Sequence, residues 1–183
     1  MTWLIVLIVL IVLVALVGLF LYNGLITKRN RVESAWSQID VQLKRRNDLI
    51  PNLVETVKGY AAHERGTLDA VVQARNAAMS ATTPVAAAQA ENQVAGALRQ
   101  LFALSEAYPD LKANQNFLSL QEELSATEGR VAYARQFYND SVLAYNTAIQ
   151  KFPASVIAGR MRFRAREYFE ADEGARQAPT VSF

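Results

Sequence analysis

The sequence contains no cysteine and only one histidine, His63, among its 183 residues. The absence of cysteine excludes disulfides, thiol nucleophiles, thiolate metal sites and lipid attachment through cysteine. One histidine cannot supply the paired Glu-x-x-His motifs of di-iron bundles or the His-Glu-x-x-His motif of zinc proteases. Residues 63–67 read HERGT, which lacks the second histidine of the zinc motif. We therefore expect no metal site.

Glycine-rich motifs and strand patterns are missing as well. No Gly-x-Gly-x-x-Gly or phosphate-binding loop occurs, and any Ser-His or Ser-Lys pair would rest on chance, so we predict no cofactor and no enzyme activity. No stretch alternates polar with β-branched residues, and there is no hairpin signal, which excludes a sheet. The net charge of +2 provides no basic face of the kind that nucleic-acid binding needs, so we expect no nucleic-acid partner.

Charged and amide side chains are absent from residues 3–22, WLIVLIVLIVLVALVGLFLY. Twenty apolar residues in a helix are about 30 Å long, which matches the thickness of a bilayer core. A cleaved signal peptide is the alternative, but such a peptide has a basic start and a shorter apolar run. Met1 and Thr2 carry no basic side chain. We predict a retained transmembrane anchor over residues 1–27 that contacts the lipid bilayer through residues 3–22.

Basic side chains follow this apolar span directly, at Lys28, Arg29 and Arg31, and again at residues 44–46. Only Glu33 and Asp40 oppose them up to residue 46. By the positive-inside rule, this bias predicts that the N-terminus lies outside and the remaining chain lies in the cytoplasm. The absence of cysteine fits a reducing compartment.

Helical periodicity dominates the chain after residue 27, so we predict an all-α fold. The expected helices cover about residues 27–46, 51–79, 84–107 and 114–152. Thr83 is a suitable cap for the third helix with Pro84 as its first residue, and the fourth helix carries an apolar seam close to coiled-coil heptad spacing. Short connections make sequential helices antiparallel. The sequence thus predicts an antiparallel, up-and-down four-helix bundle over residues 28–153, after a single transmembrane helix and before a C-terminal arm over residues 154–183.

Pro51 interrupts this pattern within RRNDLIPNLV, residues 45–54. The apolar rhythm keeps its phase from Leu43 through Ile50 to Leu53, which favours one kinked helix. An interior proline, however, removes the hydrogen bond to the carbonyl of Asn47 and clashes with it, at about 3 kcal/mol. The preceding Arg-Arg-Asn-Asp is typical of a helix end. From the residues alone, a kink and a corner between two helices are equally compatible.

Three long stretches resemble, in the same order, the LemA family of bacterial membrane proteins. They are RNRVESAWSQIDVQLKRRNDLIPNLVETVKGYAAHE at residues 29–64, ANQNFLSLQEELSATEGRVAYARQFYNDSVLAYN at residues 113–146 and REYFEADEGARQAPTVSF at residues 166–183. The resemblance implies a single span in the bacterial cell (inner) membrane, followed by a four-helix bundle. It also favours the corner at Pro51, with residues 47–50 as the turn.

In such a bundle the last helix ends near the membrane, and so does the arm segment RMRFRAR at residues 160–166. Basic side chains there are candidates for binding anionic headgroups. These candidates are Arg160, Arg162, Arg164 and Arg166. The alternative is a solvated arm folded over the bundle, in which Met161 and Phe163 cover its end.

Several side chains occupy unusual positions on the predicted helices. Trp36 lies on an apolar stripe, which predicts a core residue, or else an aromatic residue that binds a partner. Charges at Arg46, Glu64 and Arg75 lie near apolar stripes and are costly unless paired, so we expect interhelical pairs, or else a polar groove. The Tyr-Asn pairs at residues 138–139 and 145–146 are one heptad apart, which predicts interhelical hydrogen bonds.

These patterns predict a non-enzymatic, membrane-anchored module that organises unidentified protein partners as an interaction platform or scaffold. A second hypothesis is a homo-oligomer that assembles through its span and long helical faces. A third is a small-molecule sensor or enzyme with a site in the bundle core. The family resemblance adds a regulatory subunit of a membrane protease, because some members appear alongside such proteases.

Overall fold

The computed structural model describes residues 1–169, and this part of the chain is helical without a strand. Its helices are α1 (Thr2–Lys58), α2 (Arg65–Ser80), α3 (Pro84–Ser105), α4 (Pro109–Lys112), α5 (Gln115–Gln150) and α6 (Ala154–Arg160). The all-α prediction is therefore confirmed for these residues. The up-and-down four-helix arrangement, and the division into anchor, bundle and arm, stay predictions.

The chain forms two compact units. Unit 1 comprises Met1–Ser37 and Phe137–Glu167, and unit 2 comprises Gln38–Gln136 with Tyr168 and Phe169. Unit 1 therefore contains the first part of α1, the last part of α5 and all of α6. Helices α2, α3 and α4 belong to unit 2.

The first part of α1 exposes an uninterrupted apolar surface. Residues 3–17 are all exposed, although every one of them is apolar. The helix is long and apolar enough to cross a membrane. The predicted apolar N-terminal helix is thus present, and its surface is one that lipid can cover.

Helix α1 continues without interruption through Pro51, so the predicted corner at residues 47–50 is wrong. Ile50, Leu53 and Val57 are fully buried along one face, which shows that the apolar phase decides the backbone here. Pro51 itself points to solvent. The carbonyl of Asn47, which Pro51 cannot serve, is instead satisfied by a side chain from α2.

The chain turns later than predicted, at residues 59–64. Gly59 follows the last residue of α1, and the amide groups of Tyr60 and Ala61 both donate to the carbonyl of Val57, at 3.0 and 2.8 Å. The predicted helix over residues 51–79 is therefore divided, its first turns belonging to α1 and its remainder to α2. The predicted helix over residues 27–46 is likewise the middle of α1.

Helix α3 begins where the sequence predicts. Pro84 is its first residue, and the Thr83 hydroxyl accepts a hydrogen bond from the Ala86 amide at 3.2 Å. This cap satisfies one of the free amide groups of the first turn. The short segment of residues 81–83 then joins α3 to α2.

The apolar core of unit 2 draws on every helix that enters the unit. Its fully or nearly buried side chains are Ile50, Leu53, Val57, Ala61, Leu68, Val71, Ala74, Val94, Leu98, Leu101, Leu111, Phe117 and Leu124. A smaller group is buried in unit 1, where it includes Leu25, Val32, Ala35, Tyr138, Val142, Tyr145 and Ala158. Each unit therefore has buried apolar residues of its own.

Candidate membrane-proximal site

In unit 1, the part of α1 that follows the apolar span packs against the end of α5. The Trp36 ring lies 5.7 Å from the Tyr138 ring at an angle of 58°, and the Arg31 guanidinium lies 5.3 Å from the centre of the Phe137 ring. Further along α5, the Tyr145 hydroxyl lies close enough to Arg29 and Glu33 for their charges to act on it. Later residues of α5 lie beside earlier residues of α1. The two segments are therefore antiparallel, and α5 runs toward the apolar span. Trp36, predicted as core or partner-binding, is half-buried.

A segment without regular secondary structure, residues 163–167, follows α6 and lies against α5. The Tyr145 hydroxyl donates to the carbonyl of Arg164 at 3.0 Å, and the Tyr138 hydroxyl donates to the carbonyl of Glu167 at 2.8 Å. Asn146 does both: its amide nitrogen donates to the Arg166 carbonyl, and its oxygen accepts from the Arg166 amide, each at 2.9 Å. Backbone groups outside a helix lack the hydrogen-bond partners that a helix provides, and these side chains act as their partners instead.

Tyr138, Tyr145 and Asn146 of the heptad repeat therefore bond to the arm, where the sequence predicted interhelical bonds. Burial raises the pKa of the Tyr138 hydroxyl and of the Tyr145 hydroxyl, although nearby Arg166 opposes the shift. Both hydroxyls are consequently neutral donors at physiological pH. The arm lies along the end of α5.

Phe163 fixes the beginning of the arm to α1. Its ring contacts the Tyr22 ring edge-on at 5.9 Å between centroids, and the Arg29 guanidinium lies 5.7 Å from its centroid. Such aromatic and cation–π contacts each contribute about 0.5–1.5 kcal/mol. Tyr22 is the last residue of the predicted span, so the arm starts at the level where that span ends.

The four candidate arginines have different surroundings. Arg166 forms an ion pair with Glu33 at 2.8 Å, and both side chains are about half exposed, so the pair contributes about 0–1 kcal/mol. Arg160, Arg162 and Arg164 are exposed, and their side chains have no hydrogen bond or ion pair to any residue within 1–169. The structure therefore brings the four together on one segment and leaves three of their charged groups available.

Arg162, two residues after the end of α6, has an unusual backbone conformation. Its φ of 56° lies in the left-handed region. The Phe163 amide donates to the Ala158 carbonyl at 2.9 Å, and the Arg162 amide donates to the Gly159 carbonyl at 3.4 Å. This is a Schellman ending, in which glycine is the usual residue at the left-handed position.

Arg46, Glu64 and Arg75 each have a partner in unit 2, but only Arg46 forms one of the expected interhelical ion pairs. Arg46 and Glu91 form an ion pair between α1 and α3, with both side chains almost fully buried. Arg75 bonds to the Asn47 carbonyl. Glu64 accepts a hydrogen bond from the Tyr108 hydroxyl at 3.0 Å, and this bond raises the pKa of Tyr108.

Unit 2 also has an open cleft of about 440 Å³ between the end of α1 and the start of α5. It is lined by Asn52, Glu55, Thr56, Asn116, Ser119 and Leu120. Within residues 1–169, there is no group of three or more His, Asp or Glu residues that is placed to hold a metal ion. The geometry therefore directs attention to the membrane-proximal contacts.

Sequence reasoning did not find the residues that hold the arm. Their Tyr-Asn spacing was recognised in the sequence. A helical repeat does not indicate, however, that its bonding partner is a non-helical stretch of backbone nineteen to twenty-nine residues further along. The contact of Phe163 with Tyr22 was likewise missed. A signal did exist in the alternation of arginine with apolar residues over 160–166, because alternation is typical of an extended segment.

A sequence model of the LemA family matches residues 35–183, which is most of the chain. The chain belongs to the LemA family. The match begins beside Trp36 and includes Tyr138, Tyr145 and Asn146, which bond to the backbone of the arm. This confirms the resemblance that the three stretches carried.

Individual relatives support the same membership. The LemA-family chain is 28% identical over 155 residues to "Protein LemA" of Metamycoplasma hominis, covering 82% of this chain and 69% of that protein. It is 25% identical over 190 residues to "Magnetosome protein MamQ" of Magnetospirillum gryphiswaldense, covering 90% and 70%. "Magnetosome protein MamQ 2" of Paramagnetospirillum magneticum has the same identity and coverage. Family membership and the apolar N-terminal helix together indicate a membrane-associated protein.

Proposed function

We propose that this LemA-family protein is a single-pass, non-enzymatic membrane protein whose helical part organises protein partners at the membrane surface. The observation that carries the proposal is the continuity of α1. One helix, Thr2–Lys58, supplies both the lipid-compatible surface and three residues of the unit 2 core, Ile50, Leu53 and Val57. A partner that binds unit 2 is thereby held by the element that carries the span.

The proposed topology follows from charge. Lys28, Arg29 and Arg31 come directly after the span, and this charge bias supports an N-terminus outside and a helical part in the cytoplasm of a bacterial cell. The similarity to magnetosome proteins supports work at a membrane. Because the chain has no cysteine, a single introduced cysteine can be labelled from outside intact cells. Labelling of Gln73→Cys by an impermeant reagent would overturn this topology.

In-cell photo-crosslinking tests the role itself. The probe is placed in turn at Gln73 on α2, Gln89 on α3 and Gln136 on α5, which are all exposed. A matched control places it at Leu98, which is buried in unit 2 and cannot reach a partner in the folded protein. Capture of one or a few defined proteins from the exposed positions supports the proposal, and capture of a membrane protease identifies the regulatory alternative.

Self-assembly is the second candidate, because exposed apolar side chains are not confined to the span. Tyr133 on α5, Leu143 on α5 and Val41 on α1 are 76%, 56% and 58% exposed. Large exposed apolar side chains are common at surfaces where copies meet. If crosslinks form only between copies of this chain, and a defined large particle is found in mild detergent, the result supports a structural homo-oligomer in place of a platform for other proteins.

A further inference from the structure

Three large apolar side chains stand out into solvent where α5 ends and α6 begins and ends. Phe152 is 84% exposed, Val156 is 63% exposed and Met161 is 57% exposed. Each of the three projects from a segment of only ten residues, and the whole segment belongs to unit 1. Exposed apolar groups concentrated in this way mark an interaction surface.

Two independent distances place this segment at the end of the span. Tyr138 lies beside Trp36, and the twelve residues from Tyr138 to the end of α5 at Gln150 correspond to about 18 Å on each helix of the antiparallel pair. This rise brings Gln150 level with Gly24, and Phe152 follows two residues later, near the level of Tyr22. The contact between Phe163 and Tyr22 gives the same level from the other side of α6. The exposed trio is therefore level with the last turn of the apolar surface of α1.

Basic side chains surround the trio. Lys151, Arg160 and Arg162 flank it in sequence, are exposed, and form no ion pair with any residue of the described chain. Unit 1 as a whole contains eight basic and three acidic side chains. The remaining residues contain eleven basic and fourteen acidic side chains, so the positive surplus of the protein is concentrated in unit 1. Arg162 holds its charge at a left-handed position that glycine would occupy more easily.

We propose that residues 151–163 form a second membrane contact, which inserts Phe152, Val156 and Met161 into the interfacial layer of the leaflet that α1 enters and places Lys151, Arg160 and Arg162 against anionic lipid headgroups. This inference rests on the proposed membrane anchoring and adds a second, lipid-selective attachment to it. Aromatic and aliphatic groups with flanking basic residues are the composition of interfacial anchors. Each basic residue strengthens attraction to an anionic surface about fivefold.

A protein partner on the same patch is less well supported than lipid. The trio lies at the level where the apolar surface of α1 ends, and that surface is covered by lipid if the span crosses the bilayer. A segment already at the headgroup layer meets anionic charge without a further partner. Charge and position therefore agree on the same occupant.

Depth-dependent fluorescence quenching tests the proposal on the full-length chain in nanodiscs. Single cysteines replace Phe152, Val156 or Met161 and carry an environment-sensitive dye, since the chain has no other cysteine. Nitroxide groups are placed on the lipid either near the headgroup or deep in the acyl chain. Ser34→Cys is the matched control, because Ser34 is exposed in unit 1 and lies about 18 Å along α1 from Tyr22. Val12→Cys reports on the span itself.

We expect headgroup-level quenching and a blue-shifted emission at positions 152, 156 and 161, no quenching at position 34 and deep quenching at position 12. If the trio behaves as Ser34→Cys does while position 12 is quenched, the second contact is disproved and the anchor stands. If position 12 is also water-exposed, both proposals fail. If the trio is shielded in native membranes but not in pure lipid nanodiscs, a protein covers it and the lipid proposal is overturned.

The charged part of the contact has its own measurement. The Arg160→Gln, Arg162→Gln double variant should lose most of the headgroup-level quenching at position 156 in nanodiscs that contain anionic lipid. Purely zwitterionic lipid should reduce the same signal in the parent chain. Arg99→Gln, an exposed arginine in unit 2, is the matched control and should leave the signal unchanged. Equal quenching in anionic and zwitterionic nanodiscs would disprove the role of the basic residues.

Discussion

The Nε group of Arg75 on α2 donates a hydrogen bond to the carbonyl oxygen of Asn47 on α1, at 2.8 Å. That carbonyl lies four residues before Pro51, and a regular helix would satisfy it with the amide group that proline lacks. A side chain from the neighbouring helix thus replaces the missing backbone donor. Helix α1 passes through a proline because α2 completes its hydrogen bonding.

Replacing Pro51 with alanine should stabilise the protein. The substitution restores an amide donor and removes the clash with the Asn47 carbonyl, and we expect a gain of about 1–3 kcal/mol. Thermal unfolding of the full chain in detergent, followed by circular dichroism, measures it. Pro109→Ala is the control, because Pro109 is the first residue of α4, where proline is favourable. A clear loss of stability in Pro51→Ala would contradict the interpretation.

Arg75→Met should destabilise the parent chain by about 1–3 kcal/mol, because it leaves the Asn47 carbonyl without a donor. In the Pro51→Ala background the loss should be smaller, since residue 51 then supplies its own amide. A double-mutant cycle of unfolding free energies measures this coupling. Equal losses in the two backgrounds would show that Arg75 acts independently of the proline.

The buried Arg46–Glu91 pair should respond unequally to single and double replacement. Burial lowers the pKa of the Arg46 guanidinium, which nevertheless stays charged at neutral pH. Glu91→Gln leaves that charge unpaired, and we expect a loss of about 3–5 kcal/mol. Arg46→Met combined with Glu91→Leu removes both charges and should recover most of the loss in unfolding free energy. Additive losses would argue against a direct pair.

Tyr138 and Tyr145 should make stability fall at alkaline pH. Burial raises the pKa of both hydroxyls above the ordinary value of about 10, so the folded state favours the neutral phenol. Their contribution is complete below about pH 10 and is lost as the pH rises through the higher folded-state value. Tyr145→Phe should lower stability by about 1 kcal/mol at neutral pH and flatten the alkaline decline in melting temperature.

Tyr133→Phe provides the comparison for this measurement. Tyr133 is an exposed tyrosine on the same helix, and the pH profile of that variant should match the parent chain. Limited proteolysis at neutral pH adds a second test, because Tyr145→Phe removes the hydroxyl that holds the Arg164 carbonyl. An unchanged alkaline slope in Tyr145→Phe would show that its hydroxyl does not couple to folding.

Arg162→Gly should raise the melting temperature. Arg162 occupies the left-handed position of the Schellman ending, where a side chain costs about 1 kcal/mol that glycine does not. Arg160→Gly is the paired comparison, because Arg160 is the last residue of α6 and glycine there should lower stability. A drop in melting temperature for Arg162→Gly would mean that the arginine side chain contributes more than its backbone strain costs.

The periodicity of the sequence predicts the helices well and the turns between them less well. The sequence pattern predicts an apolar stripe of Ile50, Leu53 and Val57, and these residues are fully buried. The path through Pro51 was not visible, because the donor that makes it possible comes from Arg75, twenty-eight residues after Asn47. Local residues can show that a carbonyl lacks a partner, but not which distant side chain supplies one.

The candidate site shows the same limit. The alternation of arginine with apolar residues over 160–166 identified the segment, while its contacts depend on Tyr138, Tyr145 and Asn146 on another element. The apolar trio was not recognised as one surface, because Phe152 follows the end of α5, Val156 lies on α6 and Met161 follows the end of α6. Only the antiparallel course of α5 against α1 brings them to the level of the span.

The uneven charge of the two units gives ionic strength unequal effects on the two parts of one molecule. Salt at about 0.15 M reduces the reach of exposed charges to about 8 Å. It therefore weakens the attraction of the basic unit 1 to any anionic surface, whereas the rest of the chain, with eleven basic and fourteen acidic side chains, is nearly balanced and should respond less. A protein whose net charge is only +2 can in this way be sensitive to salt mainly at its membrane end.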